Sequence, residues 1–313
     1  MSTRSANDEA VIICTRNRPE FLESTLQSIH SHENADCRLM IVVDASDPST
    51  RRANQSILET VTCFGRHITY AGEPSLARQR NHAVERLPES IEIVHFMDDD
   101  VTVCADYFDA IRGFLQSNPA AGGAGGIIHE PAAPSSSHPR LLKRLFLLDS
   151  SRCGRVLPSG QTTSAQTPSP SSPSVMQTEW LSGCSCSFRR SLLEEHRFDN
   201  SLEGYSMLED LDLSYRISRV APLYVVPEAR LVHHRSPVNR KDAEDYMYHQ
   251  IVHRRWFVEK NLGRAFHRAA FWWATLGQAL ATRSSSRPEA RAAYQGLRRG
   301  VRTVLRRDHP LLS

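Results

Sequence analysis

The sequence predicts an α/β fold: a Rossmann-like, mostly parallel sheet with helices on both faces, followed by a helical C-terminal extension. Three observations carry this. Apolar runs of strand length alternate with amphipathic helical segments, acidic residues stand directly behind the strand runs, and the last third has helical periodicity. Val11 to Cys14 is the first strand, and Leu22, Leu26 and Ile29 then recur at helical spacing behind Pro19, which suits a first helical turn. Leu39 to Val43 repeats the pattern, ending on Asp44, with a helix expected from about Arg51 to Thr60. Ile68 to Tyr70 is a weaker strand. A helix through Leu76, Val84 and Leu87 follows, and the run Ile91 to Met97 delivers Asp98, Asp99 and Asp100; Tyr107, Phe108, Ile111, Phe114 and Leu115 predict one more helix.

Composition shifts after Gly126. "HEPAAPSSSHP" and "SGQTTSAQTPSPSSPS" are rich in Pro and Ser, and residues from about 158 to 175 are expected to form a flexible loop. "TEWLSGCSCSFRRSLL" reads as a strand running into a helix, "GYSMLEDLDLSYRI" as an acidic helix start, and "PLYVVP" and "RLVHHRSP" as two strands. These shifts divide the chain into a domain over 1–260 and a basic helical extension over 261–313. Within the domain they mark a first half at about 10–126, a flexible insertion at about 130–176 and a second half at about 177–240.

Charge and cysteine usage narrow the function. With 38 Lys and Arg against 35 Asp and Glu the net charge is +3, which argues against a protein that binds nucleic acid over its whole surface. Seven Cys, an odd number without a CxxC pair, suggest a reducing compartment. The polar start before "VIIC" lacks the apolar core of a secretory signal, and no run of about twenty apolar residues could span a membrane. A cytoplasmic protein is expected.

A carboxylate at the C-terminal end of a central strand points into the crevice where α/β sheets bind ligands. Asp98 to Asp100 fit two chemistries there, a divalent cation holding a phosphate or an aspartyl nucleophile, against the plainer reading of a solvated acidic turn. Thr15, Arg16, Asn17 and Arg18 follow the first strand and face the same crevice, where an Arg could meet phosphate. In "SMLEDLDLSYR", Ser206 and Glu209 have capping-box spacing, and Asp212 and Arg216 are placed to pair along a helix. Asp210 is left as the freest carboxylate.

Taken together, "VIICTRNRPEFLESTLQSI", "IVVDASDPS", "ARQRNHAVE", "HFMDDDV", "GCSCSFRRS", "GYSMLEDLDLSYRI" and "VHHRSP" resemble, in order and rough spacing, the family 2 glycosyltransferases, which have the GT-A fold. The resemblance covers about residues 10 to 260 and implies a nucleotide-binding half at about 10–126 and an acceptor or catalytic half at about 177–240. It implies inverting transfer of a sugar from a nucleotide-diphosphate sugar donor, with Mn²⁺ or Mg²⁺, to a glycan, lipid-linked or secondary-metabolite acceptor. Asp98-x-Asp100 looks like the family's DxD: Asp100 is assigned to the metal, Asp98 to the ribose or a metal-bound water, and Asp99 supports them at the cofactor. Asp44 resembles the acid that reads base or ribose, although Ala45 and Ser46 depart from the family pattern, and Arg80 resembles the Arg near the nucleotide. Asp210 resembles the general base. Trp180, Gly183 and Glu209 are assigned to the acceptor side. The resemblance also implies a metal-binding His near "VHHRSP". An alternating strand that packs Leu231 inward would bury His233 on the same face, so His234 is assigned to the metal.

Two other functions fit parts of the sequence. "MDDDVT" matches the D-x-D-x-T of haloacid-dehalogenase phosphatases, with Asp98 as nucleophile, although that motif normally lies on a first strand and needs a later Lys. A protein that binds nucleotide or glycan without turnover is the second. The Trp256, Phe257, Trp272 and Trp273 helices, interleaved with basic residues, fit either an internal core or peripheral contact with an anionic membrane.

Overall fold

A computed structural model of the chain describes residues 8–32, 38–61, 65–130, 140–168, 174–204, 206–236, 242–285 and 288–312. It divides into two compact units, one formed by residues 1–133 and 165–238, the other by 134–164 and 239–313. This differs from the boundary expected at 260, because residues 243–257 and the segment 134–164 group with the C-terminal helices.

The first unit opens with three repeats of strand and helix: β1 (Glu9–Thr15), α1 (Pro19–His32), β2 (Leu39–Asp44), α2 (Pro48–Val61), β3 (Gly65–Thr69) and α3 (Leu76–Val84). Next come β4 (Ile93–Asp98), β5 (Val101–Val103), α4 (Tyr107–Ser117) and β6 (Gly123–His129). After α5 (Arg140–Leu145), which belongs to the second unit, the fold closes with β7 (Met176–Thr178), β8 (Cys186–Arg189), α6 (Arg190–Glu195), α7 (Glu209–Ser218) and β9 (Leu223–His233). The sheet order is β3-β2-β1-β4-β8-β6-β9-β5, with β7 also pairing β9. The first four strands run parallel, β8 lies antiparallel between β4 and β6, and β6 and β9 pair in parallel. Val11, Ile13, Val42, Phe108 and Ile111 are among the side chains that fill the core against this sheet. Register fixes where the chemistry emerges: Thr15 lies opposite Asp44 and Cys14 opposite Asp98, so three polar side chains leave the sheet at one carboxyl edge.

Several elements differ from the sequence reading. Residues 123–129, for which the sequence predicted no strand, form β6. A Cβ on Gly123 or Gly125 would stand 2.4 Å from the Ser187 or Ser185 carbonyl of the adjoining chain, so the glycines permit close strand contact rather than disorder. The two strands expected in "PLYVVP" and "RLVHH" are one, β9, and Pro227 is accommodated where the register with β6 shifts between Gly126 and Ile127. The described part of the expected flexible loop, residues 158–168, instead packs. Val156 bridges Thr162, and Gln166, 2 % exposed, donates to the Gly126 and Ser185 carbonyls. Residues 169–173 of that loop lie outside the described residues.

The second unit holds α5, α8 (Ala243–Phe257), a π-helical turn (Val258–Leu262), α9 (Ala265–Arg283) and α10 (Ala290–Arg306). Gly296 and Gly300 let α10 lie directly on α8. A Cβ on Gly296 would stand 2.0 Å from the Glu244 carbonyl oxygen, and Arg299 ties the pair by reaching Glu244 and Asp245 and lying over Tyr248. Trp256, Phe257 and Phe271 are buried, whereas Trp273 is exposed. Because the obstacle at Gly296 is backbone, Gly296→Val is expected to destabilise the protein by about 1–3 kcal/mol or more, read as a lower urea midpoint of the transition that reports on these helices.

Candidate active site

Strand β4 brings Asp98 to the carboxyl edge of the sheet, and the tight connection into β5 places Asp99 and Asp100 beyond it. β5 runs antiparallel to β9 with Val101 opposite His233, which sets the imidazole beside the carboxylates. His233 Nε2 lies 3.2 Å from Asp100 Oδ1 and 3.9 Å from Asp98 Oδ2. One ligand atom from each of Asp98, Asp100 and His233 falls within 4.8 Å of the others, a donor set that fits a divalent cation. The second Asp100 oxygen accepts from the Ser236 amide at 2.7 Å, fixing the carboxylate's orientation.

His234 does not join this group. Its Nε2 bonds Thr102 Oγ1 at 2.7 Å, and it is His233, rather than the His234 assigned to the metal from the sequence, that stands with Asp98 and Asp100. Alternation along β9 does put His233 on the face of Leu231, but that face, buried within the sheet, opens at the strand end onto the carboxylates. Burial opposes charge on His233, yet its hydrogen bond with Asp100 overcomes this and the ring is pushed up to about 11. The same carboxylate field that holds this proton would attract a divalent cation, with neutral imidazole then serving as a ligand. Glu130, which the sequence reading missed, stands 3.7 Å from His233 Nδ1 and pairs with Arg235. Its signal was an acid behind the apolar end of β6, hidden by the Pro-rich context.

Asp99 points away from this group. Thr15 Oγ1 donates to its Oδ2 at 2.6 Å and Arg18 to its Oδ1 at 3.0 Å, and burial pushes the Asp99 carboxyl up to about 6. Expected at the cofactor, Asp99 anchors the β1–α1 loop, and Arg18 spends part of its charge there. Asn17 takes a left-handed conformation (φ 54°) and links that loop to the next: its amide donates to Ser46 Oγ, and its side chain accepts from the Asp47 amide. Arg16 is exposed. Asp44, the residue expected at base or ribose, is wholly buried, with its oxygens bonded by the Ser46 amide, Asn54 and His67, so it braces the β2–α2 turn.

Arg80 connects the two acidic groups of the site. Expected near a nucleotide, it is 1 % exposed, and its guanidinium reaches Asp98 Oδ1 at 3.2 Å, Glu209 Oε1 at 3.1 Å and the Gly183 carbonyl at 3.0 Å. It also lies over the Phe96 and Phe198 rings. Burial works against its charge, but Glu209 and Asp98 more than offset this and hold the guanidinium above its ordinary pKa. Gly183 is required by the approach: a Cβ there would stand 2.8 Å from the Arg80 nitrogen. Ser206 and Glu209 form no capping box, since the residue before α7 is Leu208 and the Ser206 hydroxyl donates to the Leu202 carbonyl. Glu209 is thus committed to Arg80. Asp210 is half-buried, accepting from the Gly183 amide at 2.8 Å and the Leu211 amide at 2.7 Å, and burial raises its carboxyl despite these bonds. Asp212 and Arg216 pair as expected, with Asp212 buried. Trp180 is half-buried, in the segment between β7 and Gly183.

The model of "Glycosyl transferase family 2" matches residues 10–170, just over half of the chain. The chain belongs to glycosyl transferase family 2. Solved GT-A structures share its fold: one of GalNAc-T7 with UDP, GalNAc and Mn²⁺ aligns at TM-score 0.59 and 13 % identity, covering 92 % of this chain and 59 % of that one. The mannosyltransferase PcManGT from Pyrobaculum calidifontis, in complex with GDP-Man and Mn²⁺, aligns at TM-score 0.59 and 17 % identity, covering 95 % and 87 %. S. aureus TarS 1-349 aligns at 0.53 and 12 %, covering 96 % and 92 %. The chain therefore spans less than two thirds of the GalNAc-T7 chain. No curated protein matches it.

Family 2 membership displaces the phosphatase reading. In this family 2 chain Asp98 lies on the fourth strand and faces Arg80 and His233, rather than standing as a nucleophile on a first strand. Removing the guanidinium that neutralises two acids should be severe. Arg80→Met is expected to lower stability by about 3–5 kcal/mol, because Glu209, whose carboxyl burial already pushes well above its usual range, would lose its buried partner, with Arg80→Met/Glu209→Gln recovering part of the loss in urea denaturation.

Proposed function

We propose that this chain is an inverting, metal-dependent glycosyltransferase that moves a sugar from a nucleotide-diphosphate sugar to an acceptor hydroxyl. One observation carries the reading: the cation-type group Asp98, Asp100 and His233 is joined through Arg80 and Gly183 to a separate carboxylate, Asp210. A bound cation would neutralise the diphosphate leaving group. The imidazole in the donor set favours Mn²⁺ over Mg²⁺, which prefers oxygen ligands. The chemistry otherwise falls to the chain's own side chains.

Asp210 takes the proton from the acceptor hydroxyl as that oxygen attacks the anomeric carbon opposite the leaving diphosphate. Two backbone amides aim its carboxylate, and its raised pKa makes it a stronger base than an exposed Asp. Glu209 is held by Arg80, which supports direct displacement over a route needing a second free carboxylate as nucleophile. Trp180 and the chain at Gly183 are placed on the acceptor side in this reading, and Arg16 and Arg18 near the phosphates. The acceptor class is a glycan or lipid-linked alcohol, and the cell compartment the cytoplasm.

Two measurements test this. Thermal unfolding with a panel of nucleotide diphosphates and their sugars should show stabilisation by one base only with Mn²⁺ present, lost on chelation and in Asp98→Asn or His233→Ala. Stabilisation that persists in chelator would contradict the metal role. Asp210→Asn should keep that stabilisation while turnover falls by about 10²–10⁴-fold; unchanged turnover would remove Asp210 as base, and a wild-type protein that binds but never transfers would favour the non-catalytic reading. Because Asp210 must be deprotonated and its pKa is raised, kcat/KM should rise with pH along an acid limb above the usual carboxylate range.

A further inference from the structure

The second unit carries an apolar surface that its own packing leaves uncovered. On α9, Phe266, Trp273, Leu276 and Leu280 are exposed and recur at helical spacing as one stripe, while Phe271, Ala274 and Thr275 are buried on the other side. Helix α5 lies against this stripe. The Trp273 indole donates to the Leu145 carbonyl at 2.8 Å, its ring stacks on Phe146 at 5.0 Å between centroids, and Gly277 leaves room for the Phe146 ring. Leu141, 77 % exposed, and Leu145, 59 % exposed, extend the same surface. The polar handle of Trp273 is thus already used, and the face it shows to solvent is apolar.

The charge around this surface has one sign. Helix α5 reads "RLLKRL" and α9, with the preceding Arg264, reads "RAFHRAAFWWATLGQALATR", neither containing Asp or Glu. Arg140, Arg144, Arg264 and Arg268 are exposed among the apolar side chains. This cationic bias stands out in a chain whose net charge is only +3.

We propose that α5 and α9 form a docking surface for an anionic phospholipid membrane, with the leucines and Trp273 entering the headgroup boundary and the arginines meeting lipid phosphates. The inference is independent of the sugar-transfer reading and says nothing of a span: among the described residues no helix is long and apolar enough to cross a membrane. Wide apolar exposure calls for a partner. A second copy of the chain is the poorer occupant, because a two-fold contact through this surface would set arginines against arginines without an acid to neutralise them. Anionic lipid matches both the apolar stripe and the charge.

The test is flotation of the full chain with vesicles of phosphatidylcholine alone and of phosphatidylcholine with phosphatidylglycerol, at low and high salt. Binding is expected only to the anionic vesicles and should weaken in salt. Leu276→Glu/Leu280→Glu, both at exposed positions, should lower the bound fraction by about tenfold or more with an unchanged thermal midpoint. Should that variant fold poorly, Arg140→Gln/Arg144→Gln, also exposed, should lower anionic binding by a similar factor. No binding to anionic vesicles, or binding that neither variant changes, would overturn the proposal. So would a wild-type dimer that Leu276→Glu/Leu280→Glu makes monomeric in the absence of any lipid binding.

Discussion

The buried Arg80 guanidinium is the constraint on which the site depends. A cation with almost no exposure is tolerable only if its charge is matched and its donors find acceptors, and Asp98, Glu209 and the Gly183 carbonyl accept from it out of three separate parts of the chain. α3 supplies the Arg, β4 and the start of α7 supply the acids, and the turn before β8 supplies the carbonyl. The same turn offers the Gly183 amide to Asp210. One planar side chain thereby sets the spacing between the carboxylate that would face a cation and the carboxylate that would take a proton. Gly183 follows from the geometry, since a side chain there would displace the guanidinium.

A second constraint is the division of labour among three consecutive acids. Along "DDD" the side chains cannot share one surroundings: Asp98 faces Arg80 and His233, Asp99 turns back to Thr15 and Arg18, and Asp100 faces His233 and the Ser236 amide. Asp99 thus joins the first βα loop to the end of β4. Thr25 reinforces the turn by sharing its one hydroxyl proton between the Asp99 and Val101 carbonyls and accepting from the Val101 amide. The acids are held by the fold before any ligand arrives, the preorganisation that electrostatic catalysis requires.

Much of this was legible in the sequence because it rests on local patterns. The alternating strand and helix runs fixed the parallel half of the sheet, and the position of Asp98 behind an apolar run pointed to the carboxyl edge. Asp210 emerged from the acidic segment by setting aside residues with helical partners, although the partner proposed for Glu209 was wrong: it is Arg80, distant in sequence. What the sequence concealed depends on long-range pairing. His233 was set aside because strand alternation buries it, and only the β5–β9 register shows that the buried side leads to the carboxylates. Asp44 reads as a ligand-facing acid until His67 and Asn54, from the neighbouring strand and helix, are seen to take up its oxygens. Strand β6 was not read because its glycines serve the close approach of neighbouring backbone and leave no side-chain alternation.

The arrangement of charge supports a cation at the site. Asp98 and Asp100 face Arg80 and His233, with Arg18 nearest Asp99 and 4.0 Å from Asp100, while burial raises the carboxyls of Glu209 and Asp210. A diphosphate brought beside Asp98 and Asp100 would meet their carboxylates at short range and partly shielded from water, where repulsion is strong. Asp98, Asp100 and His233 would hold a divalent ion there, which would offset that repulsion and take the place of the proton on His233. Asp210, held away from it by Gly183 and Leu211, would keep its basic lone pair for the acceptor. Metal binding and base strength are then set by one charge distribution, with Arg80 as the fixed positive charge between them.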